Sequence, residues 1–210
     1  MKFLLFVEGE AERRVLPSFL KRRLDPKLNR RVGIDAVFFS GCGDYLKGFE
    51  KKALFRFNGP DRDEIIAVIG LLDLYGLPNN FFPAHLVAVK ERYDWAKKEL
   101  ESRVGHQKFQ QFFAVHELEA WLLSDPTLFP AQVRNAFPGM VAKPESVNFN
   151  QPPCQLLQKL YSEKMKRRYN KLVDGSDLFK NLKPDTAYLK CLRLKEMLDQ
   201  MLLLAKGSGH

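Results

Sequence analysis

The sequence predicts an α/β fold: a four-stranded, largely parallel sheet flanked by helices, followed by a mostly helical C-terminal extension. Three observations carry this. Ile65 to Leu72 is a nearly unbroken apolar run, the mark of a central parallel strand buried on both faces. Short apolar runs alternate with amphipathic stretches over the first 125 residues, the pattern of successive β–α units. Past Asp125 the texture changes: residues 126–153 hold six prolines and little periodicity, and two helical patterns follow. The chain therefore divides into an α/β domain at 1–125, a loop-rich and then helical extension at 126–206, and a tail, Gly207-Ser208-Gly209-His210.

Each element has its own signal. Phe3 to Val7 is a short buried strand. From Ala11 the spacing turns helical, with Ala11, Val15, Phe19 and Leu20 on one face of a basic helix over about 11–24. Pro17 either kinks that helix or marks its true start. Ile34 to Phe39 is the second strand, and a helix over about 44–56 follows the turn Gly41-Cys42-Gly43-Asp44. Asn58-Gly59-Pro60-Asp61 is a turn. After the strand at 65–72 and the loop Gly76 to Pro83 comes a helix over about 85–103, its apolar face carrying Leu86, Val89, Tyr93, Ala96 and Leu100. Phe109 to Val115 is the fourth strand. The two late helices span about 154–169 and 185–204, the last with Tyr188, Cys191, Leu194, Leu198 and Met201 at helical spacing.

At 210 residues, with 45% hydrophobic residues and 17 Phe, the chain can bury a substantial core. Its net charge of +9 favours an acidic partner, of which nucleic acid is the commonest kind. The basic residues cluster at Arg13, Arg14, Lys21, Arg22, Arg23, Lys27, Arg30 and Arg31, and again at Lys159, Lys164, Lys166, Arg167, Arg168 and Lys171. Tyr161 and Tyr169 interleave with the second cluster, a mixture that suits a nucleic-acid strand through phosphate contacts and base stacking, or equally an amphipathic helix with a solvated basic face. Three Cys without a C-x-x-C exclude a disulfide scaffold and point to reduced thiols in a cytosol. No run approaches the roughly 20 apolar residues of a membrane span. The apolar N-terminus turns acidic too soon for a signal peptide.

The chemistry-bearing feature is acidic. Strand one ends at Glu8, with Glu12 one helical turn on. Strand three ends at Asp73, and strand four runs into His116-Glu117, with Glu119 and Asp125 nearby. In a parallel sheet these ends share one edge, outside which ligand sites gather. Clustered carboxylates repel, so a divalent cation or basic neighbours should accompany them. Hard oxygen donors suit Mg²⁺ (or Mn²⁺), and carboxylates with such metals are the chemistry of phosphodiester cleavage.

Three motifs together resemble the Toprim domain of topoisomerases, bacterial primases and overcoming-lysogenization-defect (OLD) nucleases: Val7-Glu8-Gly9-Glu10-Ala11-Glu12, Asp73-Leu74-Tyr75-Gly76-Leu77-Pro78 and His116-Glu117-Leu118-Glu119-Ala120. More closely, the chain resembles a Toprim-like group of uncharacterised prokaryotic proteins, a domain of unknown function encoded beside ATPases in defence regions. Weaker echoes are Pro144-Glu145-Ser146-Val147-Asn148 and Tyr169-Asn170-Lys171-Leu172-Val173-Asp174-Gly175. By position, Glu8 resembles the Toprim glutamate that acts as metal ligand or general acid/base, and Asp73 the first Asp of D-x-D. Tyr75 stands where the second Asp is expected. That departure leaves three options: Glu117 or Glu119 substitutes, the site holds one metal, or it holds none. The resemblance implies a Mg²⁺- or Mn²⁺-dependent nuclease in a cytoplasmic defence system. Glu8 and Asp73 would be catalytic, and Glu8, Asp73, Glu117 and Glu119 the metal ligands, with Glu12 and His116 in support. Arg13, Lys164, Arg167, Arg168 and Lys171 would contact nucleic acid. An AAA or ABC-type ATPase is the implied partner, with a homodimer possible and no membrane. The alternative is a non-catalytic nucleic-acid-binding or adaptor protein.

Other motifs carry less. His116 to Ala120 lacks the second His of H-E-x-x-H at Ala120, which excludes a zinc protease. Gly41-Cys42-Gly43 has neither G-x-G-x-x-G nor phosphate-loop spacing and reads as a turn. Cys42 has no His partner in the pattern, and Ser40 and Ser124 have no G-x-S-x-G context. Tyr75 reads as a stacking or packing residue rather than a nucleophile.

Overall fold

The computed structural model describes residues 1–146 and 152–210, Met140 by its backbone alone. Four strands form one sheet: β1 (Lys2–Val7), β2 (Gly33–Phe38), β3 (Ile65–Asp73) and β4 (Phe109–Ala114). All neighbours are parallel, in the order β2-β1-β3-β4. The chain starts in the middle, moves outward to β2, then crosses back past β1 to β3 and β4. The direction of winding reverses between β1 and β3. In open parallel sheets that switch leaves a crevice outside the strands' carboxyl ends.

The helices cover both faces. Helix α1 (Glu10–Leu24) packs Leu16, Phe19 and Leu20 against Phe3, Leu5 and Val7. Helices α2 (Cys42–Phe57) and α3 (Val89–Val104) pack Tyr45, Phe49, Tyr93 and Leu100 against Leu4, Phe6 and Val68 on the other face. Strict side-chain alternation along β1 divides its residues between the two layers. Pro17 lies inside α1, neither a start nor an end. The burial of four side chains on the sheet outweighs the one backbone bond that a proline removes. Gly70 on β3 leaves room for Tyr45, whose hydroxyl donates to Gln111 Oε1 at 2.7 Å, a satisfied polar contact within the apolar layer.

The C-terminal part packs on the α1 side. Helices α4 (Glu119–Leu123), α5 (Ala131–Arg134), α6 (Pro153–Met165), α7 (Ser176–Asn181), α8 (Pro184–Lys190) and α9 (Leu192–Gly207) share one core with that face of the sheet, built on Trp121, Leu157, Leu182, Leu194 and Met201. Several boundaries differ from the sequence expectation. The helix expected at 185–204 is two, broken at Cys191, which is extended (φ −115°, ψ 99°). The apolar spacing runs through that break, so periodicity alone does not reveal it. The helix expected at 154–169 stops at Met165, where Lys166 turns left-handed (φ 57°). The helix expected at 85–103 begins at Val89. The stretch 126–153, expected to be loop-rich, carries short helical turns among its described residues. Val147 and Asn148 of the Pro144-to-Asn148 echo lie outside the described residues. Backbone N–H groups of Ser208, Gly209 and His210 bond to carbonyls of the last turn of α9. Among the described residues no helix is long and apolar enough to cross a membrane.

Candidate active site

The carboxyl ends of β1 and β3, on either side of the winding switch, present Glu8 and Asp73. The Glu8 carbonyl accepts the Gly41 N–H at 3.0 Å, and Gly41 makes that approach at φ 95°, where an L side chain would be strained. Oε2 of Glu8 is buried without a hydrogen-bond partner. A Cβ on Gly76 would sit 3.3 Å from Glu8 Oε2 and 3.7 Å from Asp73 Cβ, so the two acidic side chains flank one point and the bare glycine keeps it open. Burial, with Glu12 adding, pushes the Glu8 carboxyl above its usual range, and Lys171 opposes this.

Asp73 is half-buried, and its Oδ1 accepts the Leu118 N–H at 3.0 Å, tying the end of β3 to the start of α4. Loss of solvent pushes its carboxyl well above the ordinary aspartate value. Lys171 works against that shift, and Glu119, Glu8 and Glu12 reinforce it. His116 bends the chain out of β4 with a left-handed φ of 68°, and its carbonyl accepts the Tyr75 N–H at 3.1 Å. Glu117 then turns toward α6, where its Oε2 accepts the Cys154 N–H at 2.7 Å, a carboxylate at the positive end of a helix. Glu119 is buried, 3.2 Å from the Lys171 ammonium, and loss of solvent pushes its carboxyl up to about 7. Burial opposes the Lys171 charge, yet Glu119, Asp73 and Glu117 together hold its pKa above the ordinary lysine value.

The structure therefore gathers Glu8, Asp73, Glu117 and Glu119 around one lysine, with Glu12 beside them in the first turn of α1. Among the described residues no group of three or more His, Cys, Asp or Glu is arranged to hold a metal ion. Mg²⁺ does not require such a cage: it keeps several waters and is commonly held by one or two carboxylates together with substrate phosphate. The unpartnered Oε2 of Glu8 beside Asp73 fits that mode.

The basic residues are distributed differently from a simple helix face. Arg13 forks onto Glu10 at 2.7 and 2.9 Å and lies over the exposed Phe38 ring. Arg167 makes a bidentate pair with Asp174 at 2.8 and 2.7 Å. Lys164, Lys166 and Arg168 are exposed. Tyr161 and Tyr169 are buried, edge to face at 5.3 Å, so the reading of them as base-stacking rings is corrected: they are core. Sequence reasoning also put Lys171 on the basic surface, whereas it faces the carboxylates. The left-handed Lys166 breaks the helical phase, and Asn170 caps the turn Lys171–Gly175 through its side-chain oxygen, bonded to the N–H groups of Leu172 and Val173. Gly76 was the other missed participant, and only its spacing from Asp73 signals it. The Cys42 thiol, near Glu8 and Asp73, is pushed by burial up to about 12 and is no nucleophile.

No curated protein matches the chain. Among solved structures it is similar to the C-terminal region of the Burkholderia pseudomallei OLD protein, at 20% identity and a TM-score of 0.50, over 99% of this chain and 98% of that one. The C-terminal region of the Xanthomonas campestris pv. campestris OLD protein is also similar, at 17% identity and a TM-score of 0.47, over 100% of this chain and 97% of that one. The first of these likenesses shows a shared α/β fold. Residues 7–202 match the family described as domain of unknown function DUF4276, and on that match the chain belongs to this family.

Proposed function

We propose that this protein is a divalent-cation-dependent nuclease of Toprim type that cuts DNA or RNA phosphodiesters, with Mg²⁺ or Mn²⁺ as cofactor. The observation that carries the reading is the buried, unpartnered Oε2 of Glu8 at the Gly76 gap that Asp73 also borders, at the winding switch. Glu8 and Asp73 would hold the cation. When bound, it supplies activation of a water and neutralisation of phosphate charge. Burial raises the pKa of Glu8, the direction that suits a general acid/base. Lys171 offers an ammonium to a phosphate oxygen and balances Glu119. Leu118 N–H orients Asp73. Exposed Lys164 and Arg168, with Arg13 and Arg167, supply positive charge for a nucleic-acid backbone. A prokaryotic defence role with an AAA or ABC-type ATPase partner extends this proposal on the family resemblance.

A second reading, a non-catalytic nucleic-acid-binding or adaptor protein, draws on Lys171, which already gives Glu119 a counter-charge, and on Tyr75 in place of a second aspartate. One experiment separates them: cleavage of single-stranded DNA, duplex DNA and RNA with Mg²⁺ or Mn²⁺, together with calorimetric titration of Mg²⁺, on wild type and Glu8→Gln. The nuclease reading expects metal-dependent cleavage and cation binding, both lost in Glu8→Gln. Cleavage indifferent to that substitution or to EDTA overturns it. Absence of both cleavage and cation binding puts the adaptor reading ahead.

A further inference from the structure

The turn Leu74–Gly76 has two sides. Gly76 abuts the Glu8 carboxylate, while Leu74 and Tyr75 line a groove of about 640 Å³. That volume lies within the roughly 300–1,000 Å³ of small-molecule sites. Its lining is mixed in polarity, with the apolar Leu74, Leu77 and Phe82 buried beneath it. Tyr75 stands at its edge with 42% of its surface exposed. The His116 carbonyl accepts its backbone N–H at 3.1 Å, tying this turn to the end of β4. Arg92 also lines the groove, its guanidinium 5.1 Å over the Phe82 ring and its Nε donating to the Leu86 carbonyl at 2.9 Å. Asn79 adds an exposed amide. An exposed aromatic ring, a guanidinium held on Phe82 and an amide around one groove form a surface that suits stacking of a planar heterocycle and hydrogen bonding to its edge.

We propose that this groove is a nucleobase subsite, taking one unpaired base of the strand whose phosphate lies at Glu8 and Asp73, with Tyr75 as the stacking ring. The proposal rests on the nuclease reading for the position of the phosphate and deepens it by naming the substrate class. Asp73 and Tyr75 are two residues apart, so their Cα atoms lie no more than about 7 Å from each other. A base held in a duplex stack is out of reach of such a groove unless it is flipped out. The preferred substrate is therefore a single strand.

The test measures binding of a short labelled dT oligonucleotide in Ca²⁺, alongside a duplex of the same length and an oligonucleotide abasic throughout. Wild type should bind the dT strand more tightly than the duplex or the abasic strand. Tyr75→Ala should weaken dT binding roughly 5- to 150-fold, the range for loss of one base–aromatic stack, and leave abasic binding unchanged. Tyr75→Phe, which keeps the ring, should bind as wild type. An unchanged melting temperature of Tyr75→Ala excludes misfolding as the cause. Equal binding of dT and abasic strands, unchanged affinity in Tyr75→Ala, or no binding of any strand overturns the subsite. The two proposals fail separately: Glu8-dependent cleavage indifferent to Tyr75 keeps the nuclease and sinks the groove, whereas Tyr75-dependent dT binding without any cleavage does the reverse.

Discussion

Glu119 makes stability depend on pH in a direction opposite to that of a common surface carboxylate. Its side chain is 5% exposed, and burial carries its pKa from 4.5 to about 7 despite the Lys171 ammonium 3.2 Å away. Between those values the folded carboxyl keeps a proton that the unfolded chain has released. The native state binds more protons there, so stability falls as pH rises. The shift corresponds to about 3 kcal/mol between pH 4.5 and pH above 7. Glu8 and Asp73 act in the same direction. His116 acts oppositely, because burial lowers its pKa and folding favours its neutral form. The quantity to measure is therefore the difference between wild type and Glu119→Gln, in which groups uncoupled to Glu119 cancel and the altered couplings to Asp73 and Lys171 remain. Urea unfolding in EDTA, at intervals from pH 4 to 8.5, should show wild type losing about 3 kcal/mol relative to Glu119→Gln across the window. Added Mg²⁺ should restore stability chiefly at the alkaline end, where the site carboxylates are ionised. A flat difference curve, or one in which wild type gains stability with pH, refutes the reasoning.

Three further outcomes follow from the packing. In Gly76→Ala the new Cβ, 3.3 Å from Glu8 Oε2, should displace that carboxylate and lower cleavage by about 10²-fold with little change in melting temperature; equal activity would show that Glu8 tolerates the shift. Gly70→Ala would drive a Cβ into Gln111 Oε1 and the Tyr45 hydroxyl, and urea unfolding should register a loss of about 1–3 kcal/mol. In Lys164→Ala/Arg168→Ala, nucleic-acid affinity should fall alike for all sequences, and the plot of log K against log[salt] should become shallower by up to about 2 units on duplex DNA; an unchanged slope would place the phosphates elsewhere.

The sheet and the acids at its edge were legible in the residue pattern. A parallel strand buried on both faces must be apolar throughout, so 65–72 was legible, and a carboxylate cannot continue such a run, so Asp73 and Glu8 marked strand ends. Parallel pairing, inferred from β–α alternation, then requires those ends to share an edge. What surrounds them follows from long-range packing. Lys171 reaches the carboxylates because the chain reverses at Lys166, a left-handed residue that helical periodicity does not encode. Tyr161 and Tyr169 became core because α6 packs on the α1 face, which no local pattern specifies. Glu117 was spent on the N-terminus of α6, a helix 36 residues further on. Local spacing reports which face of an element is apolar. Which distant element comes to cover that face, and which charge ends beside which, depends on packing between segments far apart in the chain.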